Sequence, residues 1–289
     1  MERSGCFMDD AQFLADLYEI IKQNKREDYD RIITEKASYP YLYHLSEIRQ
    51  NLVDWLSIEA GDRVLECNPE CGALTGKLLA KASEVICIAE NRACADIIRA
   101  RCPAEATNGG RLRVVRKDDW ERQAEIARCT VILIAGDFYR YIGRLPALRG
   151  MLAEGGRLIV ADANRLGLRY LAGAQEEYSG GYFVGIEGYP GGGDCLGQAR
   201  CYTRGEYVKI LLEAGFKKAR FYYPYPDHKF PSCVYSDDWL PKRGELSENR
   251  RNFQRDRMQL FDERRVYDTL LGEGLFGAFS NSFLIEAMQ

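Results

Sequence analysis

A chain of 289 residues with 46% hydrophobic and 29% charged side chains is long enough for one large α/β domain, or one domain with an appendage. Its 40 basic and 43 acidic residues leave a net charge of −3, which argues against a broad electrostatic grip on nucleic acid. No apolar run approaches the roughly 20 residues that span a bilayer, and Met1–Asp10 lacks the basic-then-apolar order of a signal peptide. The expectation is a cytoplasmic protein with reduced thiols and no membrane span.

The ten cysteines include Cys67, Cys87 and Cys129 inside apolar runs, where cysteine behaves as a small buried hydrophobe. The pairs Cys67/Cys71 and Cys195/Cys201 do not have zinc spacing, and there are two histidines, so no metal site is expected.

In chain order, Phe13, Leu14, Leu17, Ile20 and Ile21 recur with helical period. Pro40, in the cluster Tyr39–His44, is expected to interrupt any helix there. Ser46 can cap a helix carrying Ile48, Leu52, Val53 and Leu56. Strand and helix then alternate. Strands are predicted at 63–67, 84–89, 112–115, 130–135 and 157–161, the last after the turn Glu154-Gly155-Gly156. Helices are predicted at 74–81, 92–101, 121–127 and 139–153. This alternation, with apolar strands, means a parallel sheet covered on both faces. Residues 163–200 are glycine-rich and read as a long functional or mobile loop. A helix near 204–214 stops at Gly215 and leads into a sixth strand at 217–223. A Pro/aromatic stretch, a charged helix near 249–271 and a final strand at 282–287 complete the chain. The pattern reads as an α/β, Rossmann-like sheet of seven strands with helices on both faces. An N-terminal helical extension covers 1–45, the α/β domain 46–289, and insertions 163–200 and 224–279.

Ligands of open α/β sheets bind at the carboxyl ends of the strands. The residues after the first strand are Glu66-Cys67-Asn68-Pro69-Glu70-Cys71-Gly72-Ala73-Leu74-Thr75. Glu90 follows the second strand, Asp118-Asp119-Trp120 the third, Asp137 the fourth and Asp162 the fifth. Each acid alone has a bland reading as a helix-start or turn residue. Acids after three successive strands carry more weight together.

Val64-Leu65-Glu66 with the turn ending Cys71-Gly72-Ala73-Leu74-Thr75 resembles the first motif of class I S-adenosylmethionine-dependent methyltransferases: an acid, glycines at alternate positions, then a helix. Glu90 resembles the acid that holds the cofactor ribose, with Ala89 an alternative occupant of that slot, and Asp119 the acid that contacts the adenine amino group. The resemblance implies S-adenosylmethionine as cofactor, with Glu66, Asn68, Glu70, Gly72, Glu90, Asp118, Asp119, Trp120 and Asp137 as binding residues. It also implies a final strand that is antiparallel and lies inside the sheet. The phrases Tyr41–Ser46, Asn164–Leu168 and Phe279–Leu284 look like a bacterial subgroup associated with glycosyltransferases and surface polysaccharide.

The motif's usual glycines are replaced by Asn68 and Glu70, and Gly72 remains. Asparagine tolerates the left-handed backbone that glycine supplies. Glu70 brings negative charge toward the cofactor's carboxylate, so its replacement by glycine is expected to tighten binding by about tenfold. The leading function is methyl transfer to a small-molecule or glycan acceptor, with His228, His44 and Asp137 as candidate catalytic groups. The alternative is a catalytically inactive binding or scaffold protein on the same fold. A nicotinamide-dependent oxidoreductase would want G-x-G-x-x-G after the first strand, which residues 66–76 do not supply. The N-terminal helix can pack on its own domain or on a second copy in a homo-oligomer.

Overall fold

The computed structural model describes residues 10–106, 110–118, 128–190, 198–247, 257 and 259–289. Among the described residues, eight strands form one sheet in the spatial order Leu112–Arg116 (β3), Glu84–Ala89 (β2), Arg63–Glu66 (β1), Cys129–Ala135 (β4), Leu152–Ala163 (β5), Ser282–Met288 (β8), Lys218–Tyr225 (β6) and Cys233–Ser236 (β7). Its described residues fall into two compact units: one holds residues 10–135, 147–159 and Gln289, the other Gly136–Pro146 and Val160–Met288.

The first unit opens with α1 (Ala11–Gln23), whose first turn is capped by Asp10 accepting from the Phe13 amide at 3.0 Å. Phe13, Leu14, Leu17, Ile20 and Ile21 are all buried, as their period predicts. After α2 (Tyr29–Lys36), Pro40 sits in the first turn of α3 (Tyr39–Leu45). The proline therefore starts a helix rather than interrupting one, because an N–H in that turn has no intrahelical partner to lose. Ser46 accepts from the Ile48 amide at 3.3 Å and opens a 3-10 turn, Glu47–Gln50, that runs into α4 (Asn51–Asp54).

Next come β1 (Arg63–Glu66), α5 (Thr75–Lys81), β2 (Glu84–Ala89), α6 (Arg92–Arg101), β3 (Leu112–Arg116) and β4 (Cys129–Ala135). β1 pairs in parallel with β2 and β4, and β2 with β3; Leu65 lies beside Ile86 on one side and Ile132 on the other. All three are fully buried, as apolar strands covered on both faces require. The helix expected at 121–127 lies outside the described residues. α7 (Leu145–Met151) leads into β5 (Leu152–Ala163). Glu154-Gly155-Gly156, expected as a turn, is instead part of β5, where Gly155 takes φ +73°.

The second unit contains α8 (Leu168–Leu171), α9 (Arg204–Glu213), β6 (Lys218–Tyr225), β7 (Cys233–Ser236), α10 (Glu263–Gly272), α11 (Phe276–Phe279) and β8 (Ser282–Met288). Thr203 and Glu206 form a reciprocal capping box at the start of α9. β6 runs antiparallel to both β8 and β7. β8 lies between β5 and β6, with Phe283, Leu284 and Ile285 fully buried, as the resemblance implies. The eighth strand, β7, corrects the count of seven. It falls in a stretch where Pro224, Pro226 and Pro231 mask the strand signal. The core of this unit is aromatic: Phe283 meets Phe221 and Tyr207 edge-on at 5.3 and 5.9 Å. Among the described residues, no helix is long and apolar enough to cross a membrane.

Candidate functional site

In the first unit, the candidate site grows from the carboxyl end of β1. Glu66 is buried at that end and accepts from the Thr75 hydroxyl at 2.7 Å and the Cys87 thiol at 3.3 Å. Burial raises its pKa, while the two donors and the charge of Arg49 oppose that rise. The loop continues the sheet for one residue, with the Cys67 amide donating to the Leu133 carbonyl at 2.8 Å. The Asn68 side-chain amide then donates to the carbonyl of Ala135, the last residue of β4, at 3.1 Å.

The left-handed positions in this loop are Glu70, at φ +49°, and Gly72, at φ +75°. Asn68 is not among them, so its tolerance of that backbone is not what the loop uses; the strained non-glycine is Glu70. Gly72 needs glycine twice over. A Cβ there would lie 3.1 Å from Ile98 Cγ1 and 3.2 Å from Thr75 Oγ1, so the residue also sets how closely the loop packs on α6. Arg101, from the last turn of α6, fixes the loop to the N-terminal helices by donating to the carbonyls of Cys71 and His44, each at 2.6 Å.

Glu90 follows β2 and takes the Lys117 ammonium on its two oxygens at 2.6 and 2.8 Å. Asn91 then caps α6, accepting from the Cys94 amide at 2.9 Å. An open groove begins there, bordered by Leu14, Ala15 and Tyr18 of α1 and by Asn91, Ala93 and Asp96. Asp118 is exposed, and Asp119 and Trp120 lie outside the described residues.

His44 is 1% exposed between the rings of Phe13 and Tyr43, and neither ring nitrogen has a hydrogen-bond partner. Burial, with the charges of Arg49 and Arg101, drives its pKa well below the usual value. Arg49 was not apparent from the sequence as a site residue. Its guanidinium is buried, stacks 3.5 Å from the centroid of the Tyr43 ring, and leaves Nε and Nη1 without an acceptor. Tyr43 in turn donates to Glu70 at 3.3 Å.

The second unit gathers another set of charged side chains. Asp137 follows β4 in a left-handed conformation, pairs with Arg140 at 3.3 Å and accepts from the Tyr178 hydroxyl at 3.2 Å. Burial raises its pKa against both partners. Asp162, in β5, is fully buried and accepts from the amides of Phe138 at 3.1 Å and Ala163 at 2.8 Å. Burial pushes its pKa up to about 7. His228 is buried, shares a 2.9 Å hydrogen bond with Ser282, and has its pKa pushed down by burial to about 4. Asp227 does not bond to His228. It closes a turn by accepting from the amides of Lys229 and Phe230, and it pairs with Arg169 at 2.9 Å.

The described part of 163–200, read from sequence as a long functional or mobile loop, carries two carboxylates, Glu176 buried and Glu177 nearly so. Glu176 accepts from the amides of Tyr178 and Ser179 and from the Tyr189 hydroxyl, at 2.7–3.1 Å. Glu177 pairs with Arg169 and, at 3.1 Å, with Lys229. Burial works against the Glu177 charge, but Lys229 and Arg169 hold its carboxyl below the usual range. Among the described residues, no group of three His, Cys, Asp or Glu side chains could hold a metal ion.

A scan against protein-family models finds no match, and a search of curated proteins finds none. Among solved structures, the chain is similar to an S-adenosylmethionine-dependent methyltransferase from Archaeoglobus fulgidus at 14% identity and a TM-score of 0.46, over 95% of this chain and 99% of that one. It is also similar to a Thermotoga maritima methyltransferase described as a possible histamine N-methyltransferase, at 14% identity and a TM-score of 0.48, over 94% and 99% of the two chains. A third similarity is to a Haloferax volcanii complex of the Trm112 activator with a methyltransferase, at 13% identity and a TM-score of 0.47, over 94% and 97%. At such identities the similarity concerns architecture alone.

Proposed function

We propose that this chain binds S-adenosylmethionine on the loops that follow β1 and β2 and directs its methyl group to a small-molecule or glycan acceptor. One observation carries the reading: Glu66 and Glu90 close the carboxyl ends of two neighbouring parallel strands, at the side of the sheet where the strand order reverses between β1 and β4. The Gly72 turn and the buried Arg49 guanidinium beside the same loop fit a ligand that carries both hydroxyls and an anionic group. Glu90, with Lys117, would hold the ribose, and the groove between α1 and α6 offers apolar wall for a base.

The bound group supplies an electrophilic methyl on a sulfonium sulfur. The protein's own part is orientation, exclusion of water and, for a hydroxyl acceptor, removal of a proton. Of the three candidate bases, burial drives His44 well below its usual pKa and leaves His228 a weak base at about 4, while it raises the Asp137 carboxyl and so strengthens it as a proton acceptor.

The second reading, binding without turnover, is motivated by Asn68 and Glu70, which stand where the resembled motif has glycines. Calorimetry with S-adenosylmethionine and S-adenosylhomocysteine tests the first reading, and absence of binding to both would remove it. Tight binding with no methyl transfer to a broad panel of hydroxyl, amine and glycan acceptors would favour the second.

A further inference from the structure

We propose that Arg49 and Glu70 form a receptor for the zwitterionic amino-acid end of the bound cofactor, Arg49 taking its α-carboxylate and Glu70 its α-ammonium. This inference rests on the S-adenosylmethionine reading above. Arg49 is 6% exposed, and its Nε and Nη1 have no acceptor. A guanidinium cannot shed its proton in a protein, so its buried N–H groups call for an acceptor. The Tyr43 ring lies 3.5 Å from that cation, and the negative charges of the β1 loop are near enough for Glu70 to act on Arg49 and Arg49 on Glu66. The α-carboxylate is the one anionic group of S-adenosylmethionine; its ammonium and its sulfonium are both positive. The two N–H groups of Arg49 that lack an acceptor therefore select the carboxylate end.

The ammonium then needs an anion nearby, and Glu70 supplies it. The left-handed backbone at Glu70, φ +49°, favours glycine, yet the chain holds a glutamate there, steadied by the Tyr43 hydroxyl at 3.3 Å. A strained residue of this kind points to a role for its side chain. Tyr43 joins the two halves: its ring faces Arg49 and its hydroxyl faces Glu70. The expectation drawn from charge alone, that glycine at position 70 tightens binding, is thereby reversed. The adjacent guanidinium supplies the charge that the cofactor's carboxylate needs, and loss of Glu70 removes the ammonium's partner.

The test is calorimetry of the full chain with S-adenosylhomocysteine and with 5′-methylthioadenosine, which keeps the nucleoside and thioether but lacks the amino-acid end. The wild type is expected to prefer S-adenosylhomocysteine by about a hundredfold, the scale of two charge-assisted hydrogen bonds. Arg49→Met is expected to weaken S-adenosylhomocysteine by about thirtyfold, and Glu70→Gln and Glu70→Gly by about tenfold, with 5′-methylthioadenosine unchanged within twofold. Should Arg49→Met fail to fold, Arg49→Lys reads the same contact, and the wild-type preference between the two ligands needs no variant. Equal wild-type affinity for the two ligands overturns the receptor and leaves the cofactor reading standing. So does an unchanged S-adenosylhomocysteine affinity in the variants. Absence of wild-type binding to either ligand overturns both.

Discussion

The hydroxyl of Thr75, the first residue of α5, donates to Oε2 of Glu66, the last residue of β1, at 2.7 Å inside the core. The loop between them is thus closed by side chains as well as by backbone. The same contact gives Glu66 a donor that favours its charged form against burial.

Thr75→Val keeps the shape and removes that donor, which is expected to cost about 1–3 kcal/mol in urea unfolding. The loss has a sign in pH. Burial already raises the folded pKa of Glu66, and removing the donor raises it further. A carboxyl with a raised folded pKa contributes stability below its unfolded value and loses it as pH rises through the folded value. The variant is therefore destabilised more at pH 8 than at pH 5. An equal deficit at both would assign the threonine to packing.

Asp162 gives the larger pH effect. Its carboxyl moves from 3.8 to about 7 on folding, so the protein loses stability progressively as pH rises through that window. At about 1.4 kcal/mol per pH unit, Asp162→Asn is expected to gain about 2–3 kcal/mol on the wild type between pH 5 and pH 8. Denaturant unfolding of both proteins at the two pH values measures the difference. A constant gap would mean that Asp162 stays ionised in the fold.

Strand β8 is interior and fully buried along Phe283–Ile285, and Asn164 is locked to the segment before it by donating to the carbonyls of Ala278 and Ser280, each at 2.8 Å. Truncation after Gly277 is expected to abolish cooperative unfolding, because β6 loses one of its two partners and Asn164 both of its acceptors. Asn164→Ala alone is expected to cost about 2–4 kcal/mol by the same loss of buried hydrogen bonds. A truncated chain with a cooperative thermal transition would show that β8 is dispensable.

Strand periodicity made β1 to β6 and β8 legible, since each is a short apolar run bounded by turn residues such as Asn68-Pro69 and Gly215. β7 was not, because prolines before it carry the opposite signal and its pairing with β6 is a tertiary fact. In the candidate site, the acids stood out because each lies at or just after the end of a strand. Arg49 did not: it lies 17 residues before Glu66 in a polar 3-10 turn, and its orphaned N–H groups appear only once the turn is folded against the loop. Asn68 and Glu70 exchanged their expected parts for a similar reason, because φ at each position is set by how the loop closes and by the close approach of Gly72 to Ile98. The glycines of 163–200 hid Glu176 and Glu177, whose burial depends on partners up to 52 residues away, such as Lys229.

The most direct measurement of the central claim is amide hydrogen exchange of the full chain with and without saturating S-adenosylhomocysteine. The account predicts slowed exchange at two separate stretches, the loop 67–75 after β1 and residues 90–94 at the start of α6, because these surround Glu66 and Glu90. Protection confined to other parts of the chain, or no protection in either stretch, would contradict it.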